Sequence, residues 1–269
     1  MPVANINGVN LNYEVAGQGE AVVFLHGYTG SSQDWANQVP LLSPKYRVVT
    51  PDQRGHGKSA APSREEDYSM QIFRDDIFAL LKTLNVSHCC LVGHSLGGFI
   101  ALEFALAHPD MLSTLVLVDT SSGEFERPPG FTELRQKLDE LARSQGMEAA
   151  FEYEAVNNPT RVERFQKHPE QKEITRRKML MTSVDGYVFI AKAMGKWQPV
   201  TARISEIKVP TLVYWGDEDL PFFNAVQILK EEIVGSELVT VKGVGHSPHE
   251  EAPEVFNEAL LKFLEGIKW

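Results

Sequence analysis

The sequence predicts an α/β protein built on a mostly parallel, doubly wound sheet, with a helical segment inserted after the sixth strand. Three observations carry this. Short apolar runs recur along the chain and are continuous rather than alternating, the pattern of strands buried on both faces. Helical periodicities separate them, and strand–helix alternation is the mark of a parallel sheet. One interval of about ninety residues has no convincing strand, and a structureless loop of that length is improbable in a compact domain.

The elements follow in order. Val3 to Val15 alternates around Asn7-Gly8, a pair that favours a tight hairpin. AVVFLHG (21–27), YRVVTPD (46–52), CCLVGHS (89–95) and TLVLVDT (114–120) then predict four strands. Ser69 is placed to cap a helix carrying Ile72, Phe73, Ile77, Leu80, Leu81 and Leu84 on one stripe. Past residue 120 the rhythm breaks. A turn-rich SSGEFERPPG opens the interval, and helical stretches follow in LRQKLDELARSQ and KEITRRKMLMTSVDGYVFIAKAMGKW. Residues 123–206 are therefore expected to form a helical cap over one edge of a core made of 1–122 and 207–269. TLVYWGD (211–217) and ELVTVKGVGH (237–246) resume the strands. Val255, Phe256, Leu260, Phe263 and Leu264 place a last helix at the C-terminal end.

Composition excludes several classes. Lys plus Arg is 26 and Asp plus Glu is 36, a net charge of −10, so nucleic acid and anionic membranes are poor partners. The apolar runs fall far short of the ~20 residues a membrane span needs. MPVANINGVNLNY has neither a basic n-region nor an apolar h-region. A cytoplasmic protein, monomer or homodimer, with a small-molecule partner is expected. The two cysteines, Cys89 and Cys90, are adjacent on a strand and point to opposite faces, which argues against a disulfide and for a reducing compartment. No cluster has metal-ligand spacing, GHGKS lacks phosphate-loop spacing, and no cofactor is expected.

The chemistry concentrates at LVGHSLGGF (91–99). If a strand ends at His94 and a helix starts after Ser95, the chain turns sharply at the serine. Side chains at positions 93 and 97 would then collide with neighbouring elements, and glycine removes the collision. A hydroxyl is left above the sheet at a helix N-terminus, as in a nucleophile elbow, G-x-S-x-G. A serine nucleophile needs a base and a group to orient it. TLVYWGDED places Asp217 and Asp219 past one strand end, and VKGVGHSPHE places His246 past the last, in the order Ser, Asp, His. Strand carboxyl ends are where sites assemble in parallel sheets.

HGYTGSSQDW (26–35), PDQRGHGKS (51–59), GHSLGGF (93–99), LVYWGDED (212–219) and GVGHSPHEEAPEVF (243–256) together resemble the alpha/beta hydrolase superfamily, in its cap-bearing serine-hydrolase branch of carboxylesterases and lactonases. The resemblance covers essentially the whole chain. It implies the alpha/beta hydrolase fold, with Ser95 as nucleophile and His246 as general base. It implies Asp219, three residues after Gly216, as the acid, with Asp217 its neighbour and Asp119, at the end of TLVLVDT, the position some members use. It implies an oxyanion hole from the backbone N–H groups of Leu96 and Tyr28, with the Tyr28 side chain free to enter an acyl pocket. His26 and His56 read as structural, His94 as packing or hydrogen-bonding, His88 and His249 as surface residues. Phe99, Met194 and Trp197 are expected to bind substrate, with Met179, Met181 and Phe189 as further cap candidates.

Within that superfamily the expected activity is hydrolysis of carboxylic esters of small uncharged substrates through an acyl-enzyme, with lactones such as acyl-homoserine lactones within reach of the same mechanism. Other readings stay open. A menaquinone-pathway synthase shares the HGxxGSSxDW start but carries arginine where Phe99 stands. Carbon–carbon bond hydrolases often carry Asn in place of His94. Triad-bearing small-molecule sensors tend to lack the double glycine seen at Gly97-Gly98.

Overall fold

The computed structural model describes residues 2–123, 125 and 129–269. Of the turn-rich stretch expected at 121–130, residues 124 and 126–128 lie outside that description. Strands β1 (Val3–Ile6) and β2 (Val9–Ala16) form the hairpin, with Asn7 and Gly8 at φ +50° and +79°, the paired positive angles that a two-residue loop requires. β3 (Ala21–Leu25), β4 (Arg47–Pro51), β5 (Cys89–His94), β6 (Leu112–Val118), β7 (Thr211–Gly216) and β8 (Glu237–Val241) follow. They join one eight-stranded sheet in the order β1-β2-β4-β3-β5-β6-β7-β8. The two hairpin strands run antiparallel, and all pairings from β4 to β8 are parallel.

Apolar strands buried on both faces make a two-sided core. Val23, Leu25, Cys89 and Leu91 face one layer; Val22, Phe24, Cys90 and Val92 face the other. Every residue of β3, β5 and β7 is buried. β8 departs from the expectation of two buried faces. It is the last strand of the sheet among the described residues, and Glu237 and Thr240 are exposed.

The helices are α1 (Val39–Leu42), α2 (Met70–Thr83), α3 (Leu96–Ala107), α4 (Phe131–Gln145), α5 (Met147–Asn157), α6 (Pro159–Lys167), α7 (Glu170–Met181), α8 (Val184–Lys196), α9 (Phe223–Glu232), α10 (Pro248–Glu251) and α11 (Pro253–Glu265). Ser69 caps α2, its Oγ accepting from Ile72 N at 3.1 Å, and Phe73, Ile77, Leu80 and Leu81 are buried. α3 carries no polar stripe: residues 96 to 105 are all buried, as a central helix requires.

Five helices, α4 to α8, stand between β6 and β7 among the described residues. They sit over loops that follow the carboxyl ends of the parallel strands. Tyr28 Oη donates to Tyr187 O, Ser183 Oγ to Gly55 O, and Thr182 Oγ1 to Thr29 O. Gly186 lies so close to Gly55 that a Cβ there would overlap the Gly55 carbonyl. Lys178 reaches Asp34 at 3.1 Å and Glu250 at 2.5 Å, and Arg164 pairs with Glu218 and Glu251. Tyr187, Val188, Phe189 and Ile190 of α8 join the same apolar cluster as one sheet face. No helix of the described residues is long and apolar enough to cross a membrane.

Candidate active site

The chain leaves β5 at His94 and enters α3 at Leu96, so the whole turn falls on Ser95. Its backbone is at φ +50°, ψ −115°, a strained conformation for a residue with a Cβ. The flanking glycines make it possible. A Cβ on Gly93 would overlap the Gly97 carbonyl, and one on Gly97 would overlap the Leu25 carbonyl. Ser95 N donates to Val118 O at 3.0 Å, and Thr120 Oγ1 donates to Ser95 O at 2.8 Å, which fixes the turn against β6. The hydroxyl does not cap its own helix. It lies 2.9 Å from His246 Nε2.

His246 Nδ1 in turn lies 2.7 Å from Asp219 Oδ2. A carboxylate only accepts, so Nδ1 carries the proton and Nε2 is left to accept from the Ser95 hydroxyl. Ser95 and Asp219 are buried at 7% and 6% exposure, while the His246 side chain is 39% exposed. Asp219 is reached through a tight turn, its N–H donating to Gly216 O at 2.9 Å. Asp217 is a strut for the histidine loop: its Oδ1 accepts from Gly243 N at 2.7 Å. Asp119 is wholly buried behind Asp219. Its Oδ1 accepts from Gly216 N at 3.1 Å, and burial together with the Asp219 charge pushes its pKa well above the carboxylate range.

The loop after β3 brings up Tyr28. Thr29 N donates to His56 Nε2 at 3.2 Å, and Gly30 N to Gly27 O at 3.0 Å. The Tyr28 N–H between them has no protein acceptor among the described residues. Leu96 N–H is the first of α3, where the helix dipole is positive. His26 donates from Nδ1 to Gly27 O at 2.8 Å and accepts from Gln53 N at 3.1 Å. Burial lowers the pKa of His26 and, more strongly, of His56, so both serve as neutral braces. His94 donates from Nε2 to His246 O at 2.6 Å, and burial holds it neutral too.

Three expectations are corrected here. His249 is not a surface residue: it is fully buried, stacked on Trp35 at 4.2 Å and set 4.6 Å from the His94 ring. Glu251 accepts from Gly245 N and Ser247 N and folds α10 inward, which carries His249 with it. The Tyr28 side chain is not free. Its hydroxyl donates to Tyr187 O at 2.5 Å and accepts from Arg135 at 3.2 Å, and its ring stacks on Tyr187. Met181, at the end of α7, is 47% exposed and lines a crevice with Ser31 and Lys58, whereas Met179 and Phe189 are buried in the core.

An aromatic wall runs from the histidine. Phe222 lies 4.9 Å from the His246 ring, Phe125 4.6 Å from Phe222, Phe99 6.4 Å from Phe125, and Trp197 4.5 Å from Phe99. Trp197 Nε1 donates to Glu103 at 2.8 Å, and Met194 is half-buried against the same cluster. Phe125, Phe222, Tyr187 and Arg135 escape the sequence reading because they come from segments without a motif. His88 is exposed, as expected. Asp34, His249 and Glu250 bring three potential metal donors within 4.8 Å, but the Lys178 ammonium already pairs with Asp34 and Glu250.

Residues 20–253 match the family model described as the alpha/beta hydrolase fold. A Bacillus subtilis protein provisionally named 2-succinyl-6-hydroxy-2,4-cyclohexadiene-1-carboxylate synthase is 30% identical over 272 residues, 96% of each chain. A thermophilic esterase from Thermogutta terrifontis superposes with a TM-score of 0.85 at 26% identity, covering 98% of this chain and 97% of that one. Est816, described as an N-acyl homoserine lactone degrading enzyme, superposes with a TM-score of 0.81 at 28% identity, covering 97% and 100%.

Proposed function

The chain belongs to the alpha/beta hydrolase family, and from that premise we propose that it is a serine hydrolase of carboxylic esters and lactones. The observation that carries the reading is the single histidine bridging an acid and a strained serine, at 2.7 and 2.9 Å. Ser95 Oγ attacks the acyl carbon as its proton passes to His246 Nε2. Asp219 holds the ring in the required tautomer and stabilises the imidazolium. The new oxyanion takes hydrogen bonds from the Tyr28 and Leu96 N–H groups. The intermediate then collapses, the alkoxide leaves with the proton from His246, and an ester to Ser95 remains. Water, activated by the same histidine, reverses these steps and releases the acid. In a lactone the alcohol stays attached to the acyl chain.

Phe222, Phe125, Phe99 and Trp197 support an apolar acyl group. The helices α4 to α8 cover the site and are proposed to set substrate choice. A chain-length series of p-nitrophenyl esters, run beside acyl-homoserine lactones on wild-type and S95A protein, tests the reading; turnover by S95A above a few per cent of wild type would refute it.

A second reading, a substrate bearing a carboxylate, is favoured by one observation. The Arg135 guanidinium sits at the Tyr28 hydroxyl and over the Tyr187 ring, with a buried Nε that has no partner among the described residues. The name of the Bacillus relative, a carboxylate synthase, fits it. The apolar Phe99 and the Arg135–Asp139 ion pair count against it. Comparing the half-ester p-nitrophenyl adipate with p-nitrophenyl hexanoate, on wild type and Arg135→Met, separates the two.

A further inference from the structure

Asp119 is the first residue past β6. It is fully buried, and its backbone is at φ +40°, a left-handed angle uncommon outside glycine. Its N–H donates to Tyr214 O at 3.0 Å, and Oδ1 accepts from Gly216 N at 3.1 Å. Oδ2 is buried with no donor to it among the described residues. Asp119 and Asp219 are neighbours that converge on Gly216, whose N–H donates to Asp119 Oδ1 and whose carbonyl accepts from Asp219 N, and the Asp219 charge acts on the Asp119 carboxyl. The other ionisable groups that bear on it are Glu251 of α10 and Tyr214 of β7, neither of which supplies a positive charge.

An ionised carboxylate at that position would be buried, half-satisfied and beside a second anion. One proton on Oδ2 removes all three penalties. It cancels the charge and turns an orphaned acceptor into a donor facing Asp219. Asp219 is the partner left as the acceptor, because it alone of the two has the His246 Nδ1–H against it, at 2.7 Å. Two carboxyl groups this close share a proton rather than ionise together.

We propose that Asp119 is a neutral carboxylic acid that donates a hydrogen bond to the Asp219 carboxylate and so orients it toward His246. It is a positioning residue. The proposal rests on Asp219 being the acid of the hydrolytic site. Both ends of the arrangement are tied to Gly216, which donates its N–H to Asp119 and accepts from Asp219 N at 2.9 Å. Any rotation of the Asp219 carboxyl must therefore break the bond from Asp119 or move the end of β7.

Asp119→Asn and Asp119→Ala test this. Asparagine tolerates the positive φ, keeps an acceptor for Gly216 and offers an N–H donor to Asp219, but has no proton to lose. Alanine has no donor. The sign of the stability effect follows from linkage. A carboxyl with a raised native pKa keeps its proton when folded and loses it when unfolded above about pH 4, so the wild type loses stability as pH rises through that range. Asp119→Asn has no such loss. In urea unfolding its midpoint should gain steadily on the wild type from about pH 4 to pH 7. A difference that is flat or shrinks over that range would overturn the proposal. This arm needs no turnover, so it stays decisive if the hydrolase reading fails. In kcat/KM on a p-nitrophenyl ester, Asp119→Ala should fall roughly ten- to a hundredfold, the worth of one hydrogen bond to a charged group, and Asp119→Asn should recover most of that. An unimpaired Asp119→Ala, or an Asp119→Asn as inactive as Asp219→Asn, would also overturn it.

Discussion

Ser95 is a good capping residue that caps nothing, because its hydroxyl is directed at His246. Removing that oxygen should leave the fold intact and lower turnover by on the order of 10⁶, the usual loss for a triad serine; circular dichroism beside an ester assay checks both halves. Asp219→Asn should cost on the order of 10⁴ in kcat, as the corresponding change does in a serine protease. Asp217→Asn should cost far less, since Asp217 only braces Gly243. On the acid side of one ionisation, kcat/KM for a neutral ester should fall about tenfold per pH unit, because His246 accepts the serine proton only when neutral. A profile flat from about pH 5 to 9, on protein shown to stay folded, would count against the histidine. Ser95 and His246 were readable from local patterns, a glycine-flanked turn and a strand end. Among Asp119, Asp217 and Asp219, the sequence favours Asp219 only through the family resemblance, by its place three residues after Gly216; the physical choice is not local. It depends on which carboxylate meets an imidazole from a segment 27 residues away. His249 misleads for a related reason: the polar run SPHEE reads as surface, while the Glu251 hydrogen bonds that turn α10 inward are invisible in one dimension.

At the scale of elements, the β5–α3 turn is the least tolerant part of the molecule. Gly97→Ala would drive a Cβ into the Leu25 carbonyl, which belongs to a buried strand and has no room to yield. It should destabilise by about 1–3 kcal/mol in urea unfolding, the usual range for overpacking, and cost activity besides. The contact of α7 with the core is the second sensitive point. Lys178→Met would strand Asp34 and Glu250, and breaking a buried ion pair costs about 3–5 kcal/mol. A melting temperature unchanged in Lys178→Met would show that the pair is not holding α7 down. The strands were legible because burial on both faces leaves an uninterrupted apolar run. β8 carries apolar Leu238, Val239 and Val241 but lies at an edge, and position within a sheet is set by topology as well as by the strand's own residues. The inserted helices were legible as helices, yet Met181 shows the limit: helical spacing does not say which face meets the core, and Met179 takes that side instead.

For the whole molecule, the sheet separates the two cysteines into opposite layers, and burial pushes the Cys89 thiol up to about 12 and the Cys90 thiol well above the ordinary range. Thiol-blocking reagents should leave the native activity unchanged, and inhibition at low reagent concentration would contradict that. The order of elements made the fold readable from the sequence, since parallel strands with helical crossovers admit few topologies. The way α4 to α8 close over the site was not readable, because the contacts that seat them, Tyr28 with Tyr187 and Gly186 with Gly55, join segments with no shared pattern. The central claim is that all these parts converge on one nucleophile. The most direct test is to treat the folded protein with a fluorophosphonate, which esterifies activated serines, and to locate the adduct by peptide mass spectrometry. One adduct per chain on Ser95, lost in Ser95→Ala and sharply slowed in His246→Ala, is the expected result. An unlabelled Ser95 in protein that still hydrolyses esters, or a stoichiometric adduct elsewhere, would contradict the account.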